Sequence, residues 1–151
     1  MRIQLLLALL TLPAIALSQN ELQMKSTPFD NLTEEEKRVI VNKGTEPAFS
    51  GAYNDHFEPG TYACKACESP LFRSSNKFNS NCGWPSFDDE IKGSIMRKLD
   101  DTLGMVRTEI LCNHCGGHLG HVFEGEMFTE KNMRHCVNSI SLQFKAIQRD
   151  K

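Results

Sequence analysis

Leu111-Cys112-Asn113-His114-Cys115-Gly116-Gly117-His118-Leu119-Gly120-His121-Val122-Phe123 carries a metal-ligand spacing and a histidine pair in one short run. Cys112 and Cys115 are spaced for a tight turn that aims both sulfurs at one point, and Gly116 after them accepts the positive φ that suits such a turn. A second pair, Cys64 and Cys67, stands upstream. Glu68 follows that pair, so the first half is less typical. Two such turns make a tetrahedral four-thiolate site, which suits zinc. His114 inside the second pair competes as a ligand, but four thiolates already close a structural site. A closed site leaves no coordination position for chemistry. Its metal would clip the segment around residue 64 to the segment around residue 112.

The chain has 151 residues, enough for one domain, with 40% apolar and 24% charged residues. Net charge is −2 and the sequence pI about 6.2, so no basic field is available for nucleic acid. Arg2, the run from Leu5 to Leu12 and the small residues of Ala16-Leu17-Ser18 read as a secretory signal peptide over residues 1–18, cleaved before Gln19. The apolar run is short of the roughly 20 residues a spanning helix needs. After cleavage no stable membrane association is expected, and the chain is placed in the secretory pathway or outside the cell. In a eukaryotic secretory pathway, Asn31-Leu32-Thr33 is a glycosylation acceptor. An exported chain with six cysteines also admits a disulfide framework, which the two paired spacings argue against. Cys82 and Cys136 are left over. They are either packed small hydrophobes, one structural disulfide, or an attacking and a resolving thiol.

Residues 19–32 read as a loose N-terminal segment. Thr33-Glu34-Glu35-Glu36 is a capping box, predicting a helix to about Asn42 with Val39 and Ile40 inward. Lys43 to Gly60 is rich in Gly and Pro and reads as loop. The pattern then turns strand-like at Thr61–Cys64 and Leu71–Arg73. Met105–Cys112 alternates, with Val106, Thr108 and Ile110 opposite Arg107 and Glu109. Val137–Phe144 alternates too, with Ile140, Leu142 and Phe144 on one face. The expected fold is mainly β, small and antiparallel, with a short N-terminal helix and a zinc knuckle at one end. The domain spans 33–146, with 147–151 as a tail.

Three fragments carry candidate chemistry. In Arg134-His135-Cys136-Val137-Asn138-Ser139, Cys136 is expected to open a strand, so Arg134, Cys136 and Asn138 share a side. A cation beside a thiol favours the thiolate, which makes Cys136 a candidate nucleophile, although a cysteine at a strand start is often simply packed. His118 and His121 would face opposite ways in a regular strand. A bulge at Gly120 would turn both to one side, where they would serve as proton donors; satisfied structural histidines are the plainer reading. Cys82-Gly83-Trp84-Pro85-Ser86-Phe87 holds the single tryptophan, a core residue or a rigid apolar wall for a methyl group. If Trp84 lines a site, Cys82 lies near it.

Together these fragments, the two cysteine pairs and Lys43-Gly44-Thr45-Glu46-Pro47-Ala48-Phe49 resemble the B-type methionine sulfoxide reductase family, over about residues 33–145. The resemblance implies two facing antiparallel sheets with a structural zinc on Cys64, Cys67, Cys112 and Cys115. It implies Cys136 as nucleophile, Cys82 as resolving cysteine, and His118, His121, Arg134 and Asn138 as active-site residues. Trp84, and with it Phe123, would receive the substrate. The activity implied is reduction of methionine-(R)-S-oxide, chiefly in proteins and peptides. Cys136 becomes a sulfenic acid, Cys82 condenses with it to a disulfide, and a thioredoxin-like reductant restores both thiols. Three departures stand out. Asn81 replaces the usual Gly, His135 replaces Tyr or Phe, and Glu124-Gly125-Glu126 replaces a Pro-Asp-Gly run, displacing an acidic group near the site. A non-catalytic zinc-ribbon binding module is the competing reading. It accounts for four cysteines but not for Cys82, Trp84, the histidines and Cys136. Monomer is the default oligomeric state.

Overall fold

The computed structural model describes residues 26–148; the proposed signal peptide and the last three residues lie outside the described residues. One helix, α1 (Glu34–Ile40), precedes nine strands. These are β1 (Gly60–Cys64), β2 (Pro70–Arg73), β3 (Lys77–Phe78), β4 (Ser86–Phe87) and β5 (Ile95–Asp100), then β6 (Arg107–Cys112), β7 (His118–Glu124), β8 (Met133–Val137) and β9 (Leu142–Ala146). They form two antiparallel sheets, a three-stranded one in the order β2-β1-β9 and a six-stranded one in the order β3-β4-β8-β7-β6-β5. The mainly β architecture with a short N-terminal helix agrees with the sequence expectation.

The sheets meet through aromatic rings. Tyr62 and Phe72 of the smaller sheet pack on Phe87 of the larger, with Phe72 and Phe87 stacked at 4.4 Å and Tyr62 edge-on to Phe87 at 5.1 Å. All three are fully buried, together with Leu71, Ile110, Leu119 and Val137. Large rings bury the most apolar area per residue, so this contact supplies much of the drive for sheet association.

Helix α1 begins as its capping box requires. Thr33 N–H donates to the Glu36 carboxylate at 2.8 Å, and Glu36 N–H donates to the Thr33 hydroxyl at 3.3 Å. It stops at Ile40, short of Asn42, because Lys43 adopts a left-handed φ of 58° and the Asn42 N–H turns back to the Lys37 carbonyl. Val39 and Ile40 are buried, as expected, and Ile40 lies over Gly117 next to the second cysteine pair. Of the segment read as loose, residues 27–32 form a hydrogen-bonded turn with Leu32 buried.

Three strand expectations need correction. β6 starts at Arg107, leaving Met105 and Val106 exposed outside it. Cys136 does not open its strand but is fourth of five, because pairing with β7 already begins at Met133 opposite Glu124. Val137–Phe144 is not one strand. The chain leaves β8 at Asn138, makes a single 3₁₀ turn over Ser139–Ser141, and enters the other sheet as β9. The cause is a side chain from the Lys43–Gly60 loop. The buried Glu46 carboxylate accepts the N–H groups of Ser139 and Ile140, while Asn138 accepts from Glu46 N–H at 3.0 Å and donates to the Leu119 carbonyl at 3.1 Å. Backbone groups that a ladder would have used are satisfied by two side chains instead. Burial pushes the Glu46 carboxyl upward, and these two N–H bonds pull it back.

Buried hydrogen bonds to a charged group contribute about 1.5–3 kcal/mol each. Glu46→Ala is therefore expected to lower unfolding stability by roughly 2–4 kcal/mol in urea titration, with Glu46→Gln losing less. An unchanged midpoint for the alanine variant would show that the 139–141 turn does not depend on Glu46.

Candidate active site

Antiparallel register places the candidate residues on one face of the larger sheet. Ser86, Cys136, His121, Glu109 and Lys98 are consecutive cross-strand partners from β4 to β5. Beside that row, Arg134 pairs with Phe123, and Arg107 pairs with Asp100. The expected bulge is present. Ile110 faces Gly120 while the next residue, Leu111, faces His118, so Leu119 is skipped and both histidines emerge on the same side with ring centroids 5.8 Å apart. Gly120 is required here, because a Cβ would run into the Cys136 carbonyl.

Cys136 and Cys82 come together, with sulfurs 3.8 Å apart. Both are reduced and half-buried. Cys82 sits on a turn closed by Asn81, whose φ of 55° suits the Gly it replaces and which Asn tolerates better than most residues. The Ser80 hydroxyl lies 3.0 Å and the Ser86 hydroxyl 3.6 Å from the Cys82 sulfur. The two thiols are in hydrogen-bond contact and titrate as a pair. The bond to Cys136, together with the two serines, holds Cys82 down to about 4, against burial. Cys136 is pushed up by that same bond to Cys82 and by burial, with Arg134 pulling the other way. Arg134 has the expected influence on Cys136 but does not dominate it.

The polar groups around the pair form separate networks. Arg134 makes a two-pronged ion pair with Glu126, at 2.7 and 2.8 Å, and its guanidinium lies over the Phe123 ring at 4.5 Å and the Phe128 ring at 5.8 Å. The run that departs from the family pattern thus still brings an acid, Glu126, to Arg134. His121 hydrogen-bonds Asp100 at 2.7 Å, and Asp100 also takes Arg107 at 2.7 Å and both the N–H and hydroxyl of Thr102. His118 bonds Glu109 at 2.8 Å, and Glu109 holds Lys43 at 2.7 Å. Burial lowers the proton affinity of His118 below that of a free imidazole, with Glu109 opposing. Asp100, Glu109, Arg107 and Glu126 were not singled out from sequence, since a lone acid or arginine on a strand carries no motif.

A cavity of about 150 Å³ opens onto Cys136, walled by Trp84, His121, Phe123, Thr45 and Asn138 among others. Trp84 is fixed by donating its indole N–H to the Glu46 carbonyl at 3.2 Å. His118 is buried and lies outside this cavity, in an adjoining cleft. Of the two histidines, only His121 reaches the pocket of Cys136. His135, the residue that replaces an aromatic, points to the opposite face, where it lies 2.7 Å from Glu90 and 3.1 Å from Arg97.

Away from this pocket, Cys64, Cys67, Cys112 and Cys115 bring their sulfurs within 4.8 Å of one another, with Cys64 to Cys115 at 3.7 Å and Cys67 to Cys112 at 3.6 Å. Bonds of about 2.3 Å to a tetrahedral ion separate sulfurs by roughly 3.8 Å, so the four residues fit such an ion. The second turn ends on Gly116 at φ 77°, as expected, and the first on Glu68 at φ 61°. His114 is exposed and is not part of the cluster.

A free thiol pair, one member of which lines an aromatic-walled pocket, with a separate four-sulfur cluster in a two-sheet domain, defines a thiol-dependent oxidoreductase. The SelR domain model matches residues 32–146, and the chain belongs to that family. Curated relatives include the peptide methionine sulfoxide reductase MsrB of Teredinibacter turnerae, 54% identical over 76% of this chain and 84% of that protein. The proteins of the same name from Acinetobacter baylyi and Burkholderia ambifaria are 50% and 46% identical, over 79% and 76% of this chain and 86% and 81% of theirs. A solved structure, the Mis18 "Yippee-like" domain, aligns at TM-score 0.49 and 17% identity over 61% of this chain and 100% of that one, a likeness too loose to bear on function.

The carboxylates of these networks predict an acid limit. Hydrogen bonds from Thr102 and His121 hold Asp100 below the ordinary range, and that from Arg134 does so for Glu126; burial acts to raise Glu109, but Lys43 and His118 outweigh it. Groups depressed in the folded state stabilise it above their unfolded pKa, and that stability is lost as pH falls through the folded values. The melting temperature is expected to be level above about pH 5 and to fall below about pH 4, with a weaker fall in Glu109→Gln. A level profile down to about pH 3 would contradict it.

Proposed function

We propose that this chain reduces methionine-(R)-S-oxide in proteins and peptides, with Cys136 as nucleophile and Cys82 as resolving thiol. The observation that carries the reading is the 3.8 Å approach of the Cys82 sulfur to that of Cys136, which lines a pocket walled by Trp84, Phe123 and His121. The family membership and the names of the relatives support the same activity. A zinc-ribbon binding module would leave that second thiol pair without a purpose.

Substrate enters with its methyl group against Trp84 and its sulfur over Cys136. With substrate bound, the pair carries one proton on Cys82 and the anion on Cys136 beside Arg134, where the cation favours it. Cys136 attacks the sulfoxide sulfur while His121, oriented by Asp100, delivers a proton to the oxygen. Transfer of that oxygen to Cys136 releases methionine and leaves a sulfenic acid. Attack by Cys82 then forms the Cys82–Cys136 disulfide and expels water. A thioredoxin-like dithiol reduces the disulfide, returning both thiols and becoming oxidised itself. Glu126 holds Arg134 in place, and Asn138, with its amide committed to Leu119 and Glu46, fixes the pocket wall.

The four-cysteine cluster is proposed to hold zinc through Cys64, Cys67, Cys112 and Cys115. When bound, the ion clips the two sheets together and has no position open for chemistry. Export by residues 1–18, a domain over 33–146, a tail at 147–151, a monomeric state and glycosylation at the exposed Asn31 in a eukaryotic host remain part of the proposal, on sequence grounds.

Two measurements test it. Cys136→Ser should abolish methionine formation with every reductant, whereas Cys82→Ser should complete a first turnover and lose thioredoxin-driven recycling. Turnover by Cys136→Ser would remove the nucleophile assignment. Structural zinc contributes about 10–16 kcal/mol in small peptides, against a domain stability of about 5–15 kcal/mol. Stripping the metal with a strong chelator should therefore unfold the chain, read by circular dichroism with one zinc released per chain. A folded, fully active protein after stripping would rule out the structural role.

A further inference from the structure

The pocket at Cys136, at about 150 Å³, has room for one side chain. A ligand of drug size fills roughly 300–1,000 Å³, so the rest of a protein-bound substrate must lie elsewhere. A larger cleft of about 520 Å³ adjoins the pocket on the same face of the sheet, sharing Thr45, Arg107 and His121 as walls. It runs between the loop at Lys43–Thr45 and the hairpin joining β5 to β6. Neighbouring Cα atoms in a chain are about 3.8 Å apart, so residues next to a seated methionine sulfoxide must rest on walls that lead out of the pocket.

The chemistry of the cleft fits a polypeptide better than a small ion. Lys43, Lys98 and Arg107 are balanced by Asp100, Asp101 and Glu109. Lys43 is already bound to Glu109, and Arg107 to Asp100, so no surplus of either sign faces the space. At the lip stands Leu103, 84% exposed, on a left-handed backbone at φ 57°. Leu99, also largely exposed, lines the same cleft. A single exposed leucine is ordinary; this one overhangs a neutral, polar trough that opens into the pocket of the reacting thiol.

We propose that this cleft is the subsite for the polypeptide segment flanking the oxidised methionine, with Leu103 as its apolar contact at the lip. The assignment rests on the reading of this chain as a methionine sulfoxide reductase. It gives a protein-bound substrate contacts that the free amino acid cannot make. Because the cleft's charges cancel, it tolerates varied flanking sequence.

The test compares two substrates with the full chain and dithiothreitol as reductant: free L-methionine-(R)-S-oxide, and a blocked alanine pentapeptide with the oxidised residue at its centre. Leu103→Asp places a charge at the lip, and Leu103→Gly removes the side chain while keeping the left-handed backbone. Both variants should raise KM for the pentapeptide about fivefold or more, leaving its kcat and both constants for the free amino acid unchanged, as loss of uniform binding requires. Unchanged peptide kinetics in both variants, or equal losses on the two substrates, would overturn the subsite. If the unmodified chain turns over neither substrate, the reductase reading fails and the subsite fails with it.

Discussion

Four sulfurs from two distant turns converge at one corner of this domain, and the two sheets must come together for them to do so. Cys64 ends β1 in the smaller sheet, and Cys112 ends β6 in the larger. Each is followed within three residues by its partner, so the cluster lies between the sheets at the point where both strands run out. The aromatic contact among Tyr62, Phe72 and Phe87 drives association over a broad area but is not directional. Helix α1 seals the same corner by laying Ile40 over Gly117.

From that corner, strand register does the remaining positioning. Period-two alternation sends Cys136, His121 and Glu109 to one face and His135 and Val122 to the other. One skipped residue at Leu119 brings His118 onto the working face as well. The two histidines then diverge in use. His121, bound to Asp100, looks onto the Cys136 pocket, while His118 is held in a buried hydrogen bond with Glu109 and lines the neighbouring cleft. A motif that reads as one functional pair is thus divided between two tasks.

The departures from the family pattern are absorbed locally. Asn81 takes the left-handed turn that a glycine usually occupies. His135 replaces an aromatic ring by bonding to the Phe87 carbonyl and sitting between Glu90 and Arg97, which polar partners make possible at full burial. Glu126 still brings an acid to Arg134.

The spacings in the sequence pointed to the sulfur cluster and the helix cap, offered a bulge at Gly120 as one reading, and marked out the fragments around Cys82, the histidine pair and Cys136. All of these depend on short spacings or single-residue backbone preferences, which local chemistry dictates. The sequence did not determine where the last strand breaks, because that break is imposed by Glu46 from a loop more than ninety residues away. Nor did it single out Asp100, Glu109 and Glu126, whose importance comes from the side chain each one faces across a strand or a hairpin. The approach of Cys82 to Cys136 was implied by the resemblance but could not be read from their spacing. Fifty-four residues separate them, and only the pairing of β4 with β8 brings their sulfurs to 3.8 Å. Contacts between distant segments depend on register and packing, and those are properties of the assembled sheets.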